Sequence, residues 1–347
     1  MLKHAAAAVA LTAAAAPLLS AESASDYGVE PWSEVVVSVA DLDGSAEWLV
    51  EDGGWRAVSR GVVAPSEISY WQLPVGATGE YLKICAAEAT TGCIRFIRFL
   101  EAGEQRTIRP AARPWDTGGI FSIMLRSEDT QALFNAALAR GWWAESEPYR
   151  FSFGGSDLVN VVIRGPHGVN YALYQREKPP FTDFPIGPLS QAFNTMRMVK
   201  DQPLALAFYR DTLGFGVLFD APFTDPEPRS NNFSVPANLA TTLERRAAVA
   251  QPVLPGETGR VEVMQFVGFE GRDFAEHASP PNYGILSIRY PVRDFNAYRA
   301  KLASHGVDAA YSGDAVMVHA LTDQDAPRRI FAVRDPDGNL TEFYHAP

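Results

Sequence analysis

The stretch FAVRDPDGNLTEFYH, Phe331 to His345, decides the fold, because it reads as two extended runs joined by a tight turn. Asp335-Pro336-Asp337-Gly338 has proline where a type I turn needs φ near about −65° and glycine at its last position, so a hairpin follows. Beyond the turn, the two-residue period of a strand sets Leu340, Glu342 and Tyr344 on one face and Asn339, Thr341 and Phe343 on the other. Glu342 is thus flanked by large apolar side chains. A carboxylate there needs either a partner, such as an Arg on a barrel rim, or a task as metal ligand or general base.

Working outward, this hairpin closes the last of four repeats, and a repeat governs any reading of the fold. Each unit opens with a strand-like run closed by an Asp, continues as an amphipathic helix and reaches a Gly followed by a bulky residue. The pairs are Asp41 with Gly54-Trp55, Asp129 with Gly141-Trp142, Asp201 with Gly214-Phe215 and Asp294 with Gly306-Val307, twelve or thirteen residues apart. The Asp is placed to cap the helix and the Gly to end it in a left-handed conformation. Strand-like runs then lead to glycine turns at Gly92, Gly168, Gly259 and Gly338. The unit is β-α-β-β-β, whose open sheet edge calls for pairing between modules.

Sequence order suggests the boundaries. Modules 1 and 2 run over 32–176 as an N-terminal domain, the proline-containing EKPPFTDFPIGP makes 177–189 a linker, and modules 3 and 4 fill 190–346 as a C-terminal domain. Module 3 carries an insertion over 221–258, rich in proline, with a helix-like piece from Leu239 to Ala250. Such a segment serves either as a lid on a cleft or as surface decoration.

Composition sets the outer limits. With 347 residues, 47% hydrophobic, the chain can bury an ample core, and a net charge of −11 argues against nucleic acid or an anionic membrane surface as partner. Residues 1–24, with Lys3 and His4 before an apolar run ending in small residues, have the shape of a secretory signal peptide, so the mature chain is expected to be exported and to lack a membrane span. Cys85 and Cys93 lie in two strand-like runs joined by a Gly-containing loop, positions that suit a disulfide in an exported protein or two buried thiols. His167, His277 and His305 read as surface residues, whereas His319 and His345 lie on or beside strands and are kept as site candidates.

NTMRMVKDQPLALAFYRDTLGF (Asn194 to Phe215) and RDPDGNLTEFY (Arg334 to Tyr344) resemble the vicinal oxygen chelate superfamily, which includes glyoxalase I, bleomycin-resistance proteins, fosfomycin-resistance enzymes and extradiol dioxygenases. The resemblance is strong over modules 3 and 4 and mainly one of pattern over modules 1 and 2. It implies an α+β fold in which four βαβββ modules pair into two U-shaped half-barrels, with metal ligands on the first and last strands of each module. Transferred position by position, the ligand sites are Asn194, Glu262 and Ser287 with Glu342, Gln265 replacing Glu262 if the register of that strand differs. In modules 1 and 2 the same positions are Glu34, Phe96, Ser122 and Ala172, a set that implies no metal in the N-terminal half.

No histidine stands at any of the eight positions, which removes the ligand set of an extradiol dioxygenase. Two carboxylates and two neutral oxygens suit Mg²⁺, Mn²⁺ or Ca²⁺, whereas the family resemblance points to zinc or nickel. The expectation is an isomerase or lyase acting on a small oxygenated molecule in the cleft of modules 3 and 4, with Glu342 or Glu262 as general base. The rival is a metal-free binding protein that sequesters a small molecule in the same cleft. Four modules in one chain allow either a monomer or a homodimer.

Overall fold

The computed structural model describes residues 22–111, 113–181, 186–229, 231–317 and 326–346. Most of the expected leader, and His319, lie outside the described residues. Module 1 comprises β1 (Glu34–Ser38), α1 (Leu42–Glu51), β2 (Arg56–Val62), α2 (Pro65–Tyr70), β3 (Thr78–Cys85) and β4 (Cys93–Leu100). Module 2 comprises β5 (Ile120–Ser127), α3 (Thr130–Ala139), β6 (Trp143–Ala144), β7 (Tyr149–Phe153), β8 (Ser156–Arg164) and β9 (Asn170–Lys178). Module 3 is built from β10 (Leu189–Met198), α4 (Gln202–Ala207), β11 (Gly216–Phe223), α5 (Ala237–Ala240), β12 (Arg245–Gln251) and β13 (Arg260–Phe266). Module 4 follows with β14 (Gly284–Val292), α6 (Phe295–Ser304), β15 (Tyr311–Met317), β16 (Ala326–Arg334) and β17 (Leu340–His345).

The repeat landmarks do what their chemistry suggests. Asp41, Asp129 and Asp201 accept hydrogen bonds from the first-turn amides of α1, α3 and α4, while Asp294 makes no such bond. Gly54, Gly141, Gly214 and Gly306 have φ between +72° and +80°, the left-handed conformation that stops a helix. In the hairpin that closes the chain, the Gly338 amide donates to the Asp335 carbonyl at 2.9 Å and β16 runs antiparallel to β17.

The strands form two sheets. One has the order β15-β16-β17-β14-β1-β4-β3-β2, and the other β11-β12-β13-β10-β5-β9-β8-β6, with β7 added on β8. The half-barrels therefore join module 1 to module 4 and module 2 to module 3, through antiparallel pairing of opening strands β1 with β14 and β5 with β10. This corrects the expected division into 32–176 and 190–346. An opening strand offers the same main-chain donors and acceptors to any partner, so side chains across the seam make the choice. Glu34 stands opposite Arg289 across the β1–β14 seam. Arg126 of β5 bonds Glu257 of module 3 at 2.7 Å and lies 4.0 Å over the Phe193 ring of β10.

Modules adjacent in sequence still meet, but back to back. One core collects Trp48, Leu49 and Leu133 with Phe134, Leu213, Tyr290 and Phe343 from all four modules. Trp48 of α1 packs on Trp142 and Tyr171 of module 2 and donates its indole N–H to the Leu133 carbonyl. Tyr298 of α6 donates to the Leu213 carbonyl of module 3 at 2.9 Å. The turn motif adds a tie of its own: Asp335 is buried, accepts from the Tyr209 hydroxyl at 2.8 Å and lies near Arg197, both of module 3. Among the described residues no helix is long and apolar enough to cross a membrane.

The insertion differs from its sequence reading. Only Ala237–Ala240 is helical, and Arg245–Gln251 is strand β12 between β11 and β13, so tertiary pairing overrides the helix propensity of the Ala- and Arg-rich run. The loop before it folds over module 3, with Phe233, Val235 and Leu243 in one cluster with Met196 and Met264. Cys85 and Cys93 are joined by a disulfide across the β3–β4 hairpin and are fully buried. Cutting this closed loop with Cys85→Ser and Cys93→Ser is expected to lower unfolding free energy by about 2–3 kcal/mol in urea titration. Equal stability of the variant and the oxidised protein would mean the bond is not formed.

Candidate functional site

In the half-barrel of modules 1 and 4 the concave face holds a closed set of charges. Arg289 donates to Glu342 at 2.6 Å, to Glu67 at 2.7 Å and to Glu34 at 3.1 Å. Arg95 makes a two-pronged pair with Glu67, both contacts 2.8 Å, and Lys83 bonds Glu34 at 2.8 Å. Three cations thus face three anions. Helix α2 plugs this hollow: it brings Glu67, and with it the Tyr70 hydroxyl and Trp71 indole N–H donate to one Glu342 oxygen at 3.0 and 3.1 Å. The other oxygen accepts from Arg289 and from the Ser287 hydroxyl at 2.8 Å. Burial works to raise the Glu34 carboxyl, but Lys83, Arg289 and Arg95 outweigh it and hold it down at about 2. Burial likewise opposes the Arg289 charge, and the three carboxylates keep its pKa well above the usual range.

The half-barrel of modules 2 and 3 carries the same strand positions with different chemistry. Arg289 is opposite Glu342 in module 4; the equivalent pair in module 3 is Met196 opposite Glu262. A thioether stands where the other sheet has a guanidinium. Burial therefore pushes the Glu262 carboxyl up to about 7, against the Asn194 hydrogen bond and the more distant Arg260, which pull it down. The Asn194 amide N–H donates to Glu262 at 3.0 Å. Asn194 Oδ1 and Ser122 Oγ are buried with no hydrogen-bond partner among the described residues. Met196 is in register with both Glu262 and Ser122, so all three share one row of the concave face. Around them lie Met124, Met198, Met264, Phe121, Phe193 and Phe266, with Phe233 and Leu243 of the insertion closing over the top.

The four expected ligands thus divide into two pairs in two sheets, Asn194 with Glu262 and Ser287 with Glu342. The structure brings each pair together but not the four, because modules 3 and 4 lie in different sheets. In module 1 the last-strand position is Arg95, which is in register with Val36, and not Phe96, which belongs to the shared core. Gln265 bonds the α4 start and the Lys200 carbonyl, away from Glu262. His345 packs against Phe295 outside both concave faces. The plug residues Glu67, Tyr70 and Trp71 went unread, although APSEISYW carries a helix start signal in its Pro65.

The donor chemistry does not fit a metal. In the module 1/4 hollow both Glu342 oxygens are already occupied by four donors and Arg289 takes the place of a cation. In the module 2/3 cleft one carboxylate, one amide and one hydroxyl face Ala172 at the fourth position. Among the described residues no three His, Cys, Asp or Glu side chains are grouped so as to hold a metal ion.

Residues 193–343 match the family model described as the Glyoxalase/Bleomycin resistance protein/Dioxygenase superfamily. No curated protein matches the chain in sequence. Among solved structures it is similar to glyoxalase I from Zea mays, with a TM-score of 0.58 and 14% identity over 91% of this chain and 92% of that one. It is also similar to a putative dioxygenase from Bacillus subtilis, with a TM-score of 0.52 and 12% identity over 92% of this chain and 86% of the other. At that identity the likeness is one of fold. The C-terminal part of the chain thus matches that superfamily model, as its two resembling stretches imply, and the chain as a whole has a four-module, glyoxalase-like α+β fold.

Glu342 and Arg289 are expected to matter for stability. Arg289→Ala or Glu342→Ala leaves buried charges without partners and should cost about 3–5 kcal/mol by urea unfolding. Loss of a small-molecule activity in Glu342→Ala with stability unchanged would instead make Glu342 a chemical residue.

Proposed function

We propose that this chain binds a small oxygenated molecule in the cleft of modules 2 and 3, and that Glu262 exchanges a proton with it in an isomerase- or lyase-type reaction. The observation that carries the reading is the row Glu262–Met196–Ser122, a carboxyl whose in-register neighbour is a methionine and not an arginine, in a wall of methionine and phenylalanine. A carboxyl poised at about 7 is present in both forms near neutrality. Ionised, it removes a proton next to a carbonyl; protonated, it donates to the oxygen on which charge develops. Asn194 Oδ1 and Ser122 Oγ provide polar contacts for adjacent substrate oxygens, and the apolar walls hold the body of the molecule. The lid loop must open to admit it. No metal enters this reading. Export is part of it, supported by the leader-like start and the Cys85–Cys93 bond.

A second reading, sequestration without chemistry, is favoured by the lid side chains Phe233 and Leu243 packing directly on the methionines. Proton–deuterium exchange at the CH₂ of 2-hydroxyacetophenone, followed by NMR in heavy water, separates the two. The enzyme reading expects exchange above buffer that persists in EDTA and falls about a hundredfold in Glu262→Gln. Binding with no exchange in either protein supports sequestration. Exchange abolished by EDTA and restored by a divalent cation would overturn the metal-free account.

The same carboxyl makes a stability prediction. Its folded-state pKa of about 7 lies above the ordinary 4.5, so between these values the folded protein holds the extra proton and stability falls as pH rises. Glu262→Gln should be more stable than the parent by roughly 2 kcal/mol at about pH 8 and equal to it at about pH 4. A difference independent of pH would place Glu262 in an ordinary solvated setting.

A further inference from the structure

One end of the module 2/3 cleft is lined by guanidinium groups. Arg126 on β5 alternates with Met124 and Ser122, and so stands on the concave face with them. Arg260 on β13 is two residues from Glu262 and opposite Asn194. Arg176 on β9 completes the group. All three converge on aromatic rings: Arg126 lies 4.0 Å over Phe193 and 5.5 Å over Phe181, Arg176 4.1 Å over Phe181, and Arg260 5.8 Å over Phe193. Tyr174 packs edge-on to Phe193 at 6.4 Å. Among the described residues the carboxylate bonded to this group is Glu257, which bridges Arg126 at 2.7 Å and Arg260 at 3.3 Å from a loop where its own side chain is 61% exposed.

Glu257 is an intramolecular anion already seated on two of the three guanidiniums. It reaches them from the flank, from the segment between β12 and β13, while Arg126 is itself buried. A carboxylate entering along the cleft axis would meet the same fork-shaped donors and could exchange with it at little electrostatic cost. The flat ring faces beside the guanidiniums suit an aromatic or other planar apolar group.

We propose that the ligand of this cleft carries an anionic group, a carboxylate or its equivalent, bound by Arg126, Arg176 and Arg260 at the end where Phe181 and Phe193 form the wall. The proposal rests on the cleft reading given above and narrows it to a substrate class. It also sets a span. Arg260 and Glu262 are two residues apart on one strand face, so the anion lies on the order of 7 Å from the carbon that exchanges its proton with Glu262.

Calorimetric titration with 2-naphthoate and its neutral isostere 2-naphthamide tests it. The proposal expects naphthoate to bind at least tenfold more tightly, with a preference that shrinks as NaCl is raised. Arg126→Gln and Arg176→Gln should each remove most of the preference without weakening naphthamide, and Arg126→Lys should keep part of it. Equal binding of the two probes, unmoved by the arginine substitutions, would overturn the anion site while leaving the cleft reading intact. Binding of neither probe would overturn both. Naphthoate preference that persists in Arg126→Gln and Arg176→Gln together would put the anion elsewhere and overturn the assignment.

Discussion

Arg289 stands between Glu34, Glu67 and Glu342 with no part of it exposed, and the architecture follows from satisfying it. A buried guanidinium needs acceptors for its donors, ionised ones holding it most strongly, and module 4 alone supplies one of the three carboxylates around Arg289. The other two come from module 1, one from its opening strand and one from α2. Module 4 must therefore close against module 1, some 250 residues away in sequence, as the Arg289–Glu34 separation of 255 records. Modules 2 and 3 are left to pair with each other, and their seam is held by apolar and cation–aromatic contacts around Phe193 and the methionines.

The exchange of Arg289 for Met196 at equivalent positions also divides the work between the two half-barrels. Where the guanidinium is present, the last-strand glutamate is neutralised and the hollow is plugged by α2. Where the thioether replaces it, the glutamate keeps a raised pKa and looks into an apolar cleft. One fold thus gives a closed charge cluster on one side and a carboxyl with a raised pKa on the other. The insertion follows the same division: its Phe233, Val235 and Leu243 cover the cleft of modules 2 and 3, while its Asn231 side chain accepts from the Phe233 and Val235 amides and shapes the loop from within.

Much of this was legible from residues. The Asp335–Gly338 turn, the Asp-to-Gly helix spans and the burial of Glu342 among apolar neighbours follow from local stereochemistry, which the chain carries wherever it folds. The Arg partner of Glu342, weighed at the outset beside a chemical role, is what the structure contains. Module pairing was not legible, because opening strands with the same main-chain edge differ only in who meets Glu34 and Arg289 across a seam. The Phe96 position slipped by one residue for the same reason that any strand does, since period 2 alone cannot say which face is concave. The run from Leu239 to Ala250 was misread because its helix propensity is real locally and loses to pairing with β11 and β13.

The most direct test of this architecture uses the methionine methyl groups as reporters. Met124 belongs to module 2, and Met196, Met198 and Met264 to module 3, yet all four pack in one cluster. In protein labelled with ¹³C at the methionine methyls, nuclear Overhauser contacts between Met124 and the methionines of module 3 are expected, with assignments made by single Met→Leu substitutions. Absence of any contact from Met124 to those methyls would mean that modules 2 and 3 do not share a cleft, and the role given to Glu262 would fall with it.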